Sequence, residues 1–286
     1  MLMTRNSRII GFLVLGVLII VLLLTVFVSQ YQTQYRQHVA GTTTMPVGQT
    51  GRWTLIFDDE FDGTSLDTTK WTTCYPEGCD HRELNLYVPD NVIVSNGTLK
   101  LRAEKRSAGG KNYVSGMIQS GPSHLTPNTS KFSFTYGYME IRAKVPKGKG
   151  MWPAFWALPI DLSWPPEIDV LEILGDSTNI IHMTYHYPTA SDGDSARGRK
   201  WTGPDFSANW HTYAVDWEPN VIIWYVDGIE RLRYTDTTRI VKKPMYLIAN
   251  LSVGGDLPGA PDTSTPFPSY YEIDYIRVWK RAITGG

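Results

Sequence analysis

The sequence predicts an all-β fold, two packed sheets forming one sandwich, preceded by an N-terminal transmembrane helix. Three observations carry this reading. Short runs rich in Val, Ile, Tyr, Phe and Trp recur through residues 53–281, separated by Gly, Pro, Asn and Asp, almost without helical interruption. Two dipeptides, Asn96-Gly97 and Asp227-Gly228, sit between alternating strands and have the chemistry that a type I′ hairpin turn requires. No stretch after the N-terminal run shows apolar residues at the period of a helix, and many short strands with turn signals between them argue a two-sheet sandwich.

Residues 1–8 carry Arg5 and Arg8 ahead of an uncharged apolar run over residues 9–28. A run of about 20 residues is long enough to span a bilayer, whereas a secretory signal has a shorter apolar core and a small-residue cleavage site. Val26, Phe27 and Val28 before Ser29 make a poor cleavage site, so a signal anchor is preferred over a cleaved signal sequence. The two arginines keep residues 1–8 on the cytoplasmic side and direct the bulk of the chain outward. If the run is cleaved instead, the domain is secreted. Residues 29–52 are rich in Gln and Thr, hold Gly41, Pro46, Gly48 and Gly51, and read as a flexible linker.

The remaining residues, 53–281, fit one domain, expected to act as a monomer. Strand signals fall at 53–57, 92–94, 99–103, 114–119, 132–145, 154–158 and 168–173, then at 180–187, 211–217, 221–226, 229–234, 245–253 and 271–279. A formal net charge of −1 gives no basic surface for nucleic acid. Aromatic residues make up 12% of the chain, with ten Trp and sixteen Tyr, enough for stacking surfaces as well as core. Sugar rings present apolar C–H faces that aromatic side chains in a cleft can cover while polar groups read the hydroxyls. Cys74 and Cys79 are the only cysteines, close together in CYPEGC. A disulfide suits an exported domain, and a zinc site would need a second ligand pair that is missing, so the disulfide is preferred.

One strand signal stands apart. WPPEIDVLEIL, residues 164–174, places Glu167, Asp169 and Glu172 in an otherwise apolar run, between Pro165-Pro166 and Gly175. Along a regular strand Glu167 and Asp169 share a face and Glu172 points away. One β-bulge at Val170-Leu171 restores the phase and brings all three acids to one face, with Ile168 turned to the core. Two carboxyl groups about 5 Å apart, one nucleophilic and one protonated at rest, are what a retaining glycosidase needs. Asp169 is placed to hydrogen-bond the nucleophile, and mutual repulsion keeps the second glutamate protonated near neutral pH. The bland alternative is a solvated strand edge that carries acids by chance.

The chain resembles glycoside hydrolase family 16 over roughly residues 53–280. The signature ExDxxE stands here as EIDVLE at 167–172, with GMWPAFWALP at 150–159, FDDEFDG at 57–63 and YEIDYIRVW at 271–279. The resemblance implies a concanavalin-like jelly roll whose concave face carries the cleft, with Glu167 as nucleophile, Asp169 as its assistant and Glu172 as acid/base. The bulged motif, rather than the ExDxE of the family's lichenases, resembles the laminarinase-type branch.

Other positions take expectations from the same resemblance. Trp152 and Trp156, four apart on one strand face, would floor the sugar site; packing in the core is the alternative. Glu140 and Arg142 match family positions that contact sugar, and an exposed ion pair is their alternative. His182 and His186 share a face, which invites a metal, but no His or Cys spacing supplies a third zinc ligand. His186 instead resembles the family's cleft histidine on the leaving-group side, and His182 reads as packed. Asn250 matches an asparagine on the glycone side, with Ser252 where lichenases carry tryptophan. Asn96, Asn128 and Asn250 begin glycosylation sequons, of which Asn250 is discounted because a glycan there would block the cleft. Catalysis needs no cofactor. The resemblance implies one structural calcium at Glu60, Gly97 and Asp274, unless Asp274 pairs with Arg277 or another base.

The expected activity is that of a membrane-anchored, retaining endo-β-glucan hydrolase cutting β-1,3 links, with the polysaccharide and the membrane as its partners. The alternatives are a transglycosylase remodelling wall or exopolysaccharide glucan, and a carbohydrate-binding module on the same fold. A sulfated galactan would ask for a basic cleft, and the cluster Arg197, Arg199 and Lys200 reads as a solvated loop.

Overall fold

A computed structural model describes residues 45–123, 129–189 and 193–282. Residues 1–8, the apolar run 9–28, the linker as far as residue 44 and the sequon at Asn128 lie outside them. Among the described residues no helix is long and apolar enough to cross a membrane.

Two antiparallel sheets hold the domain together. The eight-stranded sheet runs in the order β14 (Ile229–Tyr234), β13 (Val221–Val226), β12 (His211–Glu218), β7 (Gly137–Lys144), β16 (Ser269–Arg281), β4 (Thr98–Ala103) and β3 (Val92–Ser95), with β1 (Trp53–Asp59) also pairing with β16. The six-stranded sheet runs β11 (Asp194–Thr202), β10 (Ile180–Pro188), β9 (Glu167–Ile173), β8 (Met151–Pro159), β15 (Met245–Val253) and β6 (Met117–Gln119). A small parallel pair, β2 (Asn85–Tyr87) and β5 (Tyr113–Ser115), completes the described strands. Both hairpin signals hold: Ser95 faces Thr98 and Val226 faces Ile229, and all four turn residues have positive φ, as a type I′ turn requires.

The core lies between the sheets and follows the period of two. Ile168, Val170, Leu171 and Ile173 of β9 and Leu247, Ala249 and Leu251 of β15 turn inward to meet Met139, Ile141, Val215, Ile276 and Val278 of the other sheet, and all are buried. Burying one such side chain contributes about 1.5–3 kcal/mol. With one face of the six-stranded sheet committed to this core, its alternate residues face outward and are free for chemistry.

The strand boundaries differ from the expected ones for local reasons. The run 132–145 begins as strand only at Gly137, because Tyr136 and Gly137 have φ of 60° and 146° and break the ladder. The cluster Arg197, Arg199 and Lys200, expected on a loop, lies in β11, an exposed edge strand with no buried face and hence no alternation to read. The compact unit begins at Pro46 rather than at residue 53. Residues 46–48 cross the outer face of the eight-stranded sheet, where Gly48 passes Gly228 so closely that a Cβ would lie 2.6 Å from its carbonyl oxygen.

That crossing explains Glu140 and corrects its expected role. Glu140 and Arg142 do share a face, but it is the outer face of the eight-stranded sheet, away from the β9 acids; inward from the same strand point Met139, Ile141 and Ala143. Glu140 is buried and accepts hydrogen bonds from Tyr275 Oη at 2.9 Å and from the Val47 backbone N–H at 3.1 Å. Burial pushes its carboxyl up to about 7, against those two hydrogen bonds and the nearby Arg277. A carboxyl raised from 4.5 in the unfolded chain stabilises the fold below that value and loses this contribution as pH rises through about 7. Glu140→Gln should therefore raise the unfolding temperature relative to wild type at pH 8 more than at pH 5. The ceiling on this difference is on the order of 3 kcal/mol, read from paired thermal melts.

Candidate active site

The bulge in β9 falls where the acids need it. Against β10, His182 faces Glu172 and Thr184 faces Asp169, so Met183 alone spans two residues of β9; against β8, Phe155 faces Leu171 and Trp156 faces Asp169, skipping Val170. Glu167, Asp169 and Glu172 consequently share the outward face, and Val170 and Leu171 both enter the core. The buried Trp224 of the opposite sheet donates its indole N–H to the Asp169 carbonyl at 2.7 Å, satisfying a backbone acceptor beside the bulge. No pattern around Trp224 in the sequence announces that reach across the core.

A groove of about 590 Å³ runs over this face, floored by Trp152, Ala154, Trp156 and Asn250 and walled by the loops that carry Tyr75 and Trp164. The three acids and His186 also line it. Each glutamate receives an indole N–H. Trp164 donates to Glu167 Oε2 at 2.7 Å and Trp152 donates to Glu172 Oε1 at 3.1 Å. Trp156 donates to Asn250 Oδ1 at 2.8 Å, and Asn250 Nδ2 donates to Ser252 Oγ at 2.9 Å and Tyr87 Oη at 3.3 Å. The Asn250 amide is buried and bonded at both ends, so it presents a fixed polar edge in the floor. The sequence pattern marks Trp164 as the start of the acid stretch without giving it a role; its side chain is well exposed and stands 5.9 Å from the His186 ring, making it part of the wall.

His186 lies opposite Glu167 on the neighbouring strand, and His182 lies opposite Glu172. His186 Nε2 stands 3.5 Å from Asp169 Oδ2, a charge contact that falls short of a hydrogen bond, and Nδ1 faces both oxygens of Asp194 at 3.2 and 3.3 Å. Asp194 was not foreseen, because it lies in the charged edge strand β11.

The electrostatics separate the acids. Burial, then the negative charge of Glu167, raises Glu172 to about 7, while the Trp152 N–H works against the shift. Burial, then the charge of Asp169, raises Glu167 well above the ordinary carboxylate range. Asp169 is raised to about 6 by burial, opposed by His186, and His186 is raised in turn, chiefly by its contact with Asp169. Glu167 and Asp169 titrate as a pair that holds a proton between its two carboxyls.

The remaining expected sites fall elsewhere. Cys74 and Cys79 form a disulfide, with Cα atoms 4.6 Å apart, and the loop it closes supplies Tyr75 and Glu77 to the groove wall. The implied calcium ligands do not fit a cation. Glu60 forms a two-pronged ion pair with Arg277 at 2.6 and 2.7 Å, Asp274 pairs with Arg142 at 2.5 Å, and Gly97 is a hairpin turn residue. Carboxylates already neutralised by guanidinium groups are poor donors to a calcium that asks for six to eight oxygens.

Comparison with known proteins agrees with this geometry. The model of the family described as "Glycosyl hydrolases family 16" matches residues 79–277. A Rhizobium meliloti protein named endo-1,3-1,4-beta-glycanase ExsH is 36% identical over 192 residues, 65% of this chain and 39% of that protein. Glucan endo-1,3-beta-glucosidase A1 of Niallia circulans is 32% identical over 79% of this chain and 38% of its own length. The chain thus spans about two fifths of the length of these two relatives. The laminarinase catalytic domain of Thermotoga maritima superposes with a TM-score of 0.70 at 33% identity, covering 80% of this chain and 99% of that domain. The all-β sandwich is thus the jelly roll of that family, and the chain belongs to the glycosyl hydrolases of family 16.

Proposed function

We propose that this chain is a retaining, endo-acting β-glucan hydrolase that cuts β-1,3 links. The observation that carries the reading is the bulged strand that presents Glu167, Asp169 and Glu172 on the floor of an open groove, with Glu172 held near a pKa of 7. In this mechanism Glu167 attacks the anomeric carbon while Glu172 gives its proton to the leaving oxygen, and the released Glu172 carboxylate then takes a proton from the water that frees the sugar. At rest, burial and the charge of Asp169 favour the pair's proton on Glu167; attack requires that this proton pass to Asp169, which leaves Glu167 charged with the Trp164 N–H donating to it. Trp152 and Trp156 offer ring faces to the sugar, and the fixed amide of Asn250 reads a hydroxyl. The names of the Niallia circulans and Thermotoga maritima proteins support the β-1,3 linkage.

The disulfide suits an oxidising compartment, and the apolar run 9–28 supports display of the domain on the outer side of a membrane. The test is the product profile of the purified chain on a β-1,3-glucan, with mixed-linkage glucan and agarose alongside. Short oligosaccharides from the β-1,3 polymer are expected. Products longer than the starting oligomers would indicate transglycosylation, and tight binding without cleavage would overturn the enzyme reading.

Trp164→Phe keeps the aromatic wall and removes only the donor to Glu167. A hydrogen bond to a charged group is worth about 1.5–3 kcal/mol, so kcat should fall roughly 10- to 100-fold with KM little changed. Unchanged kcat would show that the indole N–H does not serve the nucleophile.

A further inference from the structure

We propose that Glu167, Asp169 and His186 form a binding site for a zinc-type transition metal, whose occupation blocks the groove. One ligand atom from each residue lies within 4.8 Å of the other two. The free valences point the same way. Glu167 Oε2 takes the Trp164 N–H, and the proton shared by the Glu167 and Asp169 carboxyls is the one a metal displaces; Asp169 Oδ2 is buried and accepts no hydrogen bond; His186 presents Nε2 to Asp169. Behind the histidine, Asp194 faces Nδ1 at 3.2 Å. That is the outer carboxylate that orients a metal-bound imidazole and strengthens it as a ligand. His and Cys spacing shows no third ligand for the histidines because the donors are carboxylates on the neighbouring strand.

The donor set selects the ion. One imidazole and two carboxylates with an open fourth side match a three-ligand zinc site, whereas magnesium prefers six oxygens and retains its water. A tetrahedral ion with bonds of about 2 Å needs ligand atoms about 3.3 Å apart, so occupation requires the side chains, which stand on adjacent strands, to close in by rotation. Occupation takes up the carboxylate that attacks the sugar and fills the space of the reacting carbon, so the metal acts as a reversible inhibitor. The inference uses the side chains of the proposed hydrolase but does not depend on hydrolysis, and binding can be read without turnover.

The experiment is calorimetric titration of the purified full chain with Zn2+, and with Mg2+ in parallel. One Zn2+ per chain is expected, with no binding of Mg2+ at the same concentrations. His186→Gln should abolish the Zn2+ isotherm, and Asp194→Asn, which spares the direct ligands, should weaken it about 10- to 100-fold. His182→Gln, on the same face but outside the set, should leave it unchanged. Absence of Zn2+ binding, or binding that survives His186→Gln or falls equally with His182→Gln, would overturn the proposal and leave the hydrolase reading intact.

Discussion

Glu167→Gln is expected to lose turnover of a β-1,3-glucan by on the order of 10⁴-fold or more while the fold is kept. The amide fills the same space and can still accept the Trp164 N–H, so the wall of the groove has no reason to move. It cannot form a glycosyl ester, and the first displacement has no nucleophile. Stability should rise rather than fall, since the substitution removes a carboxyl that burial and Asp169 both disfavour when charged. The stereochemistry gives a sharper test. Glu167→Gly with azide and an aryl β-glycoside should yield a glycosyl azide of inverted configuration, because azide takes the place of the missing side chain in a single displacement. Retained configuration, or wild-type turnover in Glu167→Gln, would move the nucleophile elsewhere.

Glu167 could be singled out in the sequence because burial and charge conflict there. Three acids in an apolar strand are costly unless they are used, and the arithmetic of two residues per repeat demands a bulge to bring them together. The same logic made Trp152 and Trp156 legible, since their spacing fixes the face they share and β8 borders the acid strand. Glu140 and Arg142 show the limit: a spacing of two establishes that residues share a face but not which sheet or which side, and here the face is the outer one. Asp194 and Trp224 were invisible for different reasons. Asp194 belongs to an edge strand without a buried face, and Trp224 acts through a contact across the whole core to a residue distant in sequence. For Asp274 the alternative of a paired base is the one observed, but the base is Arg142 while Arg277 pairs with Glu60, an exchange of partners between strands that pattern cannot assign.

The activity should fall as pH rises through about 7, and this limb should belong to Glu172. The sign follows from its role. A general acid works only while protonated, and a carboxyl raised to about 7 keeps its proton at neutral pH and loses it above. Burial is the first cause of the shift and the charge on Glu167 the second, so the limb should move to lower pH when Glu167 is replaced by glutamine. That displacement can be followed by nuclear magnetic resonance titration of labelled Glu172, which needs no turnover. In the active enzyme, Glu172→Gln should lower kcat/KM on glucan by about 10²- to 10⁴-fold and abolish the alkaline limb, because glutamine has no proton to lose. An aryl glycoside with a good leaving group needs little protonation, so its first step should survive in Glu172→Ala and azide should then give a product of retained configuration. Opposite configurations from the two variants would separate nucleophile from acid. An alkaline limb unchanged in Glu172→Gln would take the proton away from Glu172, and the Asp169–His186 contact, which raises His186, would be the next assignment to test.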